Sequence, residues 1–323
     1  MYESFYGLAS RPFDLTPDPR YLFLTASHRE ALSSLQYGIS ARTGVTVLVG
    51  EAGTGKTTLI RATLDSRDRD RTFAIYLNNP TLTRGEFLEF LAAEFKLPTD
   101  VASSKTRLLR ELERALLDLL ADRVTPALII DEAQSLPHEL LEEIRLLANI
   151  ETTRDKLLPI ILAGQPELAA RLNHPSLRQL KQRVGLRCEL KPLELGETGA
   201  YITARVAVAG GTAAHLFTRE AVMMIHERAQ GIPRLISVIC HNALISGFAL
   251  GAKPVTTDVV IEVCRDFDLA KAGILDGLPA PSVASIGSPA AKTSGSPVSA
   301  KSRARPQEMF TDAAKPRPWF SFF

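Results

Sequence analysis

Short continuous runs of apolar residues alternate along the first 190 positions with longer stretches whose apolar residues recur every three or four positions. The continuous runs lie at 45–49, 72–77, 126–130 and 157–163, with a shorter one at Cys188-Glu189-Leu190. Strands that are apolar on both faces must be covered on both faces, which a parallel sheet flanked by helices achieves. The recurring stretches supply those helices. Ala31, Leu32, Leu35 and Ile39 share one helical face, with Ser27 as the expected cap and Glu30 three residues on. Thr83-Arg84-Gly85-Glu86 opens a helix carrying Phe87, Leu88 and Leu91, and Leu108, Leu109, Leu112, Leu116, Leu119 and Leu120 form the stripe of another over 105–121. That stripe reads as core packing, since it sustains no heptad repeat. Leu140, Leu141, Ile144, Leu147 and Ala148 face inward from a further helix begun at Leu136-Pro137.

Beyond position 190 the strand pattern stops. Lys191-Pro192-Leu193 reads as a hinge, and helical periodicity then runs through 197–209, 218–230, 232–250 and 257–267. The predicted architecture is an α/β fold: residues 1–190 form an αβα parallel-sheet domain with an N-terminal arm, and residues 191–268 form a small all-helical domain. The arm is dense in aromatics and prolines (Phe5-Tyr6-Gly7-Leu8, Pro12-Phe13, Tyr21-Leu22-Phe23) and is expected to pack across the core. Residues 269–323 shift to Ala, Pro, Ser and Gly with scattered Lys and Arg, a composition expected to stay disordered. They finish on the basic–aromatic Lys315-Pro316-Arg317-Pro318-Trp319-Phe320-Ser321-Phe322-Phe323, an end suited to a membrane surface or a partner's groove.

Composition changes this picture little. At 323 residues, 45% hydrophobic and 23% charged, the chain can bury a sizeable core, and a net charge of +2 argues against a surface that coats nucleic acid. Cys188, Cys240 and Cys264 are widely separated and read as reduced thiols, neither a metal site nor a disulfide framework. The N-terminus lacks the pattern of a secretory leader, and the most apolar stretch, 235–251, contains His241 and Asn242 and falls short of a membrane span. A cytoplasmic body is the expectation.

The chemistry is concentrated where the first apolar run meets a helix. Gly50-Glu51-Ala52-Gly53-Thr54-Gly55-Lys56-Thr57-Thr58 satisfies G-x-x-x-x-G-K-[ST] in the strand–loop–helix setting that gives the match its weight. Its glycines let backbone N–H groups turn inward on a phosphate, at the positive end of the helix that follows. Lys56 is expected to reach the β- and γ-phosphates of ATP, and the Thr57 hydroxyl to ligate Mg²⁺. Asp131 and Glu132 end the buried run at 126–130, on the side where open α/β sheets bind ligands. Asp131 is assigned to the Mg²⁺ shell and Glu132 to the attacking water. Gln165, at the tip of the next strand, is placed near that water or the γ-phosphate. Arg183, closing the basic stretch 171–187, is the candidate for a finger entering a neighbouring subunit's nucleotide, with Arg178 and Arg187 as rivals. Gly231-Ile232-Pro233-Arg234 starts a helix, its proline suited to the first turn.

Taken in order, 50–58, 128–132, Gly164-Gln165, the Arg183 region and 231–234 resemble the Walker A, Walker B, sensor 1, arginine-finger and sensor 2 positions of AAA+ ATPases. Phe5-Tyr6-Gly7-Leu8, Pro12-Phe13, Thr16-Pro17-Asp18-Pro19, Ser27-His28-Arg29-Glu30-Ala31-Leu32 and Ala163-Gly164-Gln165-Pro166-Glu167-Leu168 narrow the resemblance to the ExeA, or general secretion pathway protein A, type. That type includes ATPases found with bacterial exopolysaccharide and exosortase systems. The resemblance spans about residues 1–268. It implies ATP hydrolysis with Mg²⁺, a homo-oligomer, and assembly of an envelope machine, to which the tail would dock the protein at the inner membrane. It also implies that Arg234 contacts the γ-phosphate and couples the two domains. Gln165 stands where many AAA+ proteins carry Asn or Thr, and the membrane helix and peptidoglycan-binding region of the secretion members are not seen in this sequence. A DNA-associated switch, like transposition-helper and origin-recognition ATPases, ranks second on the basic 171–187 stretch, though no DNA-reading module follows.

Overall fold

A computed structural model of the chain describes residues 1–14, 19–66, 71–78, 81–98, 101 and 104–269. The expected disorder and docking role of the tail beyond 269 and most of Thr16-Pro17-Asp18-Pro19 lie outside those residues.

The strands are β1 (Val45–Gly50), β2 (Thr72–Leu77), β3 (Thr125–Ile130), β4 (Ile160–Gly164) and β5 (Val184–Leu190). They form one sheet in the order β2-β3-β4-β1-β5, and every neighbouring pair is parallel. The helices are α1 (Tyr2–Tyr6), α2 (Ala26–Ser40), α3 (Lys56–Asp65), α4 (Arg84–Glu94), α5 (Lys105–Ala121), α6 (His138–Leu147), α7 (Pro166–Leu172) and α8 (Arg178–Lys181). After the sheet come α9 (Leu195–Val208), α10 (Ala213–Leu216), α11 (Arg219–Ala229), α12 (Pro233–Ala249) and α13 (Thr257–Asp266).

Alternation along the strands divides the core into two faces. Val45, Val47, Val49, Leu128, Ile130, Ile160 and Leu162 meet Phe87, Leu112, Leu140 and Leu168 on one side. Leu48, Ala127, Ile129, Ile161 and Ala163 meet Leu35, Ile39, Leu59 and Ile60 on the other. Each fully buried leucine or isoleucine of this set contributes about 2 kcal/mol relative to exposure. Glu143, buried on α6, accepts from Arg84 at 2.7 Å and Lys105 at 2.9 Å, so one carboxylate ties α4, α5 and α6 together.

Three expectations need adjustment. β5 is longer than the stretch 188–190, because an edge strand needs burial on fewer positions: Cys188 and Leu190 are buried while Gly185, Arg187 and Glu189 are exposed. The cap of α2 is Thr25, whose hydroxyl accepts from the His28 N–H, and Ser27 already lies inside the helix. The arm packs away from the sheet. Tyr2, Tyr6, Leu8 and Phe13 join the helical cluster that contains Tyr201, Ile225, Ile239 and Val260. Edge-on ring pairs with Phe217, Phe248 and His241 draw it there. Arg205 of α9 fastens it, donating to the carbonyls of Pro12 at 2.6 Å and Asp14 at 3.2 Å while lying over the Tyr21 ring.

The described cysteines are all buried and unpaired with one another. Among the described residues no helix is long and apolar enough to cross a membrane.

Candidate functional site

β1 delivers the chain into the loop 51–55, and α3 leaves it at Lys56. The loop can take this path because Gly53 (φ 82°) and Gly55 (φ 100°) occupy the left-handed region that side chains disfavour. A β-carbon on Gly53 would also stand 2.8 Å from the Arg234 Cβ. His28, reaching across from α2, meets the Thr54 carbonyl at 3.0 Å and is held on its other nitrogen by Thr25 at 2.7 Å.

Lys56 is buried, and its Nζ donates to the carbonyls of Gly50 at 2.7 Å and Glu51 at 3.0 Å. Burial pushes its pKa down, against the pull of the nearby Glu132, Asp131 and Glu51 carboxylates. The lysine thus curls over the loop's own oxygens, at the mouth of the anion cradle.

At the next residue, the Thr57 hydroxyl donates to Asp131 Oδ2 at 2.6 Å. Tyr76, from the end of β2, donates to the same oxygen at 2.7 Å, and the Glu132 N–H donates to Asp131 Oδ1 at 3.0 Å. Burial, followed by the adjacent Asp131 charge, raises the Tyr76 pKa, so the phenol remains a donor at neutral pH. A hydroxyl and a carboxylate converging at the end of a phosphate loop make a hard oxygen donor set. That chemistry fits Mg²⁺, which takes few protein ligands and completes its shell with phosphates and water.

Glu132 has a left-handed backbone (φ 52°). Its Oε2 accepts from Gln134 Nε2 at 2.7 Å, and Gln134 Oε1 in turn accepts from the Gln165 N–H at 3.1 Å. Gln165 caps α7 directly after β4, and Arg171 of α7 donates to the carbonyls of Gln134 and, at 2.7 Å, of Leu136. The Arg234 N–H donates to the Gly53 carbonyl at 3.3 Å, which sets the first turn of α12 on the loop.

The structure therefore gathers Gly50, Gly53, Thr54, Gly55, Lys56, Thr57, Asp131, Glu132, Gln165 and the Arg234 backbone at one end of the sheet. Glu51, Ala52 and Thr58 belong to the same loop and first turn with exposed side chains. Arg183 is elsewhere. Its carbonyl accepts from the Val45 N–H at the opposite end of β1, about 16 Å of strand away from Gly50. It shares a polar cavity of about 390 Å³ with Arg145, Gln179 and Gln182. Arg178 and Arg187 are likewise exposed away from the loop. Sequence reasoning missed Tyr76, Gln134 and the site role of His28. A tyrosine one residue before the end of a strand and the Asp-Glu-Ala-Gln string were the available signals.

Residues 39–172 match the family described as the AAA domain. General secretion pathway protein A of Aeromonas hydrophila is 42% identical over 252 residues, which cover 78% of this chain and 46% of that protein. The chain thus spans about half the length of that curated relative. Among solved structures, the Aeropyrum pernix ORC2 protein in its ADPNP–ADP complexes aligns with a TM-score of 0.58 at 19% identity, over 82% of this chain and 72% of that one. The Drosophila ORC bound to DNA aligns with a TM-score of 0.60 at 19% identity, over 80% and 64%. At such identities the likeness shows a shared fold.

Proposed function

We propose that the chain is an AAA+ protein of the ExeA type, on the match of residues 39–172 to the AAA domain and its likeness to the secretion relative, and that it binds and hydrolyses ATP to drive assembly or regulation of a bacterial envelope machine. The observation that carries the catalytic half is the meeting of Thr57 with Asp131 at 2.6 Å, beside Lys56 and Glu132. Loop N–H groups and Lys56 hold the phosphates, the lysine exchanging its two carbonyl partners for phosphate oxygens. Thr57 and Asp131 would hold Mg²⁺, which would supply neutralisation of the charge on the phosphates. Glu132 orients and polarises the attacking water, and Gln165 donates at the terminal phosphate. Arg234, whose turn rests on Gly53, reports the state of the loop to the helical layer.

The remaining cation comes from a second copy. Arg183 is favoured over Arg178 and Arg187 because it lines a polar cavity with Arg145, a surface suited to a neighbour's phosphates. The envelope assignment rests on the secretion relative, which this chain covers only in part. The DNA-switch reading loses support from Arg171, which is committed to the Gln134 and Leu136 carbonyls instead of an open basic face.

Equilibrium binding of a fluorescent ATP analogue and phosphate release test the reading together. Lys56→Ala is expected to abolish nucleotide binding. Glu132→Gln should keep binding and lose turnover by at least ~100-fold. Wild-type turnover by either variant overturns it.

A further inference from the structure

Gln134 lies outside the phosphate loop and outside the Asp131-Glu132 pair, yet its side chain joins two groups of the proposed reaction centre. We infer that Gln134 is a positioning residue that fixes the Glu132 carboxylate against the tip of β4; the inference rests on the ATP-hydrolysis reading above. The orientation of the amide is set by its partners. The Gln165 N–H can only donate, so it faces Oε1 at 3.1 Å, and the carboxylate accepts, so it faces Nε2 at 2.7 Å. Both ends of one planar group are thereby used, and neither can be satisfied by the flipped amide.

The surroundings are built for this side chain. Gly164 leaves it room: a β-carbon there would stand 2.8 Å from Gln134 Oε1. Arg171 holds the Gln134 backbone carbonyl from α7, so the residue is anchored by its main chain as well. Glu132 itself sits in a left-handed conformation (φ 52°) just before the short turn Ala133–Ser135, which carries Gln134 back over the carboxylate. Occupying Oε2 leaves Oε1 for a water molecule. A carboxylate free to rotate offers the same basicity in fewer productive orientations, which lowers turnover without weakening the grip on phosphate. The same bridge ties the aim of Glu132 to Gln165, so a shift of the β4 tip moves both groups together.

The experiment measures ATP turnover and nucleotide affinity in full-length wild type, Glu132→Gln, Gln134→Met and the double variant. Methionine keeps the length of the side chain and removes both hydrogen bonds. Gln134→Met is expected to lower kcat roughly 10–100-fold, in the manner of lost outer-shell partners. Nucleotide Kd should stay within about twofold, and the substitution should add nothing in the Glu132→Gln background. If Gln134→Met does not fold, Gln134→Glu serves, replacing the donor that faces Glu132 with an acceptor, and the same loss is expected. An unchanged kcat overturns the inference, as does a loss that persists in full without Glu132, or an affinity loss as large as the kcat loss. A wild type without turnover overturns the ATPase reading itself, whereas an active wild type with an equally active Gln134→Met removes Gln134 alone.

Discussion

Asp131 Oδ2 accepts from two hydroxyls, Thr57 and Tyr76, whose donors come from different elements of the fold. A carboxylate held this way is aimed before any ion arrives. The Thr57 oxygen has lone pairs that would face Mg²⁺ while its O–H still donates, and Tyr76 holds the same carboxylate still from a second side. Tyr76→Phe should therefore weaken the Mg²⁺ dependence of ATP turnover about tenfold, the usual scale for an outer-shell partner. Its effect on nucleotide affinity without the metal should be small. A Mg²⁺ titration of phosphate release that superimposes on wild type would show that Tyr76 merely fills space. The sequence pointed to Tyr76 only through its place one residue before a strand end, because the partner of its hydroxyl, Asp131, lies just past the end of another strand. The glycines, Lys56, Thr57 and the Asp131-Glu132 pair were legible, since their chemistry depends on spacing within one turn.

Strands were legible where apolar residues run without a break, as they do even in the half-buried edge strand β2. β1, β3 and β4 are covered on both faces and appear as unbroken apolar runs, while β5, at the edge, shows only its last residues. The arm showed that it must pack without showing against what, because aromatic rings carry no address. Its location in the helical cluster has a pH signature. Burial pushes the phenols of Tyr2 and Tyr6 up to about 12. The folded state therefore keeps both protons in a range where the unfolded chain sheds them. That contribution to stability is complete below pH 10 and drains away as the pH rises from 10 towards 12. Tyr6 also donates to the Ala252 carbonyl at 3.0 Å, so Tyr6→Phe should cost about 1 kcal/mol at neutral pH. Above pH 10 the variant should lose stability with a shallower slope than wild type. Thermal melts across that range check it; parallel slopes would place the Tyr6 phenol in water.

At the scale of the molecule, the phosphate loop and the first turn after it are touched from three directions: by His28 from α2, by Asp131 at the end of β3, and by the first turn of α12. The proposed envelope partner would be engaged through the tail beyond the described residues. Removing 270–323 should abolish sedimentation with inner-membrane vesicles while ATP turnover stays within about twofold, since no tail residue is placed in the reaction. Equal sedimentation of both forms would move the docking surface into the folded part. The Leu193 N–H is bonded to the Gly231 carbonyl at 2.8 Å, and a β-carbon on Gly231 would come within 2.1 Å of the Leu193 oxygen. That contact is a rivet: Leu193 travels with the helices although it sits ahead of them in the chain. With β5 ending at Leu190 and the proline ring locking its own φ, any swing of the helical layer must be taken up by the two torsions of Lys191 and the ψ of Pro192. So short a flexure permits rotation about few axes, so a movement of the helical layer over the loop would be a guided stroke with little room for drift.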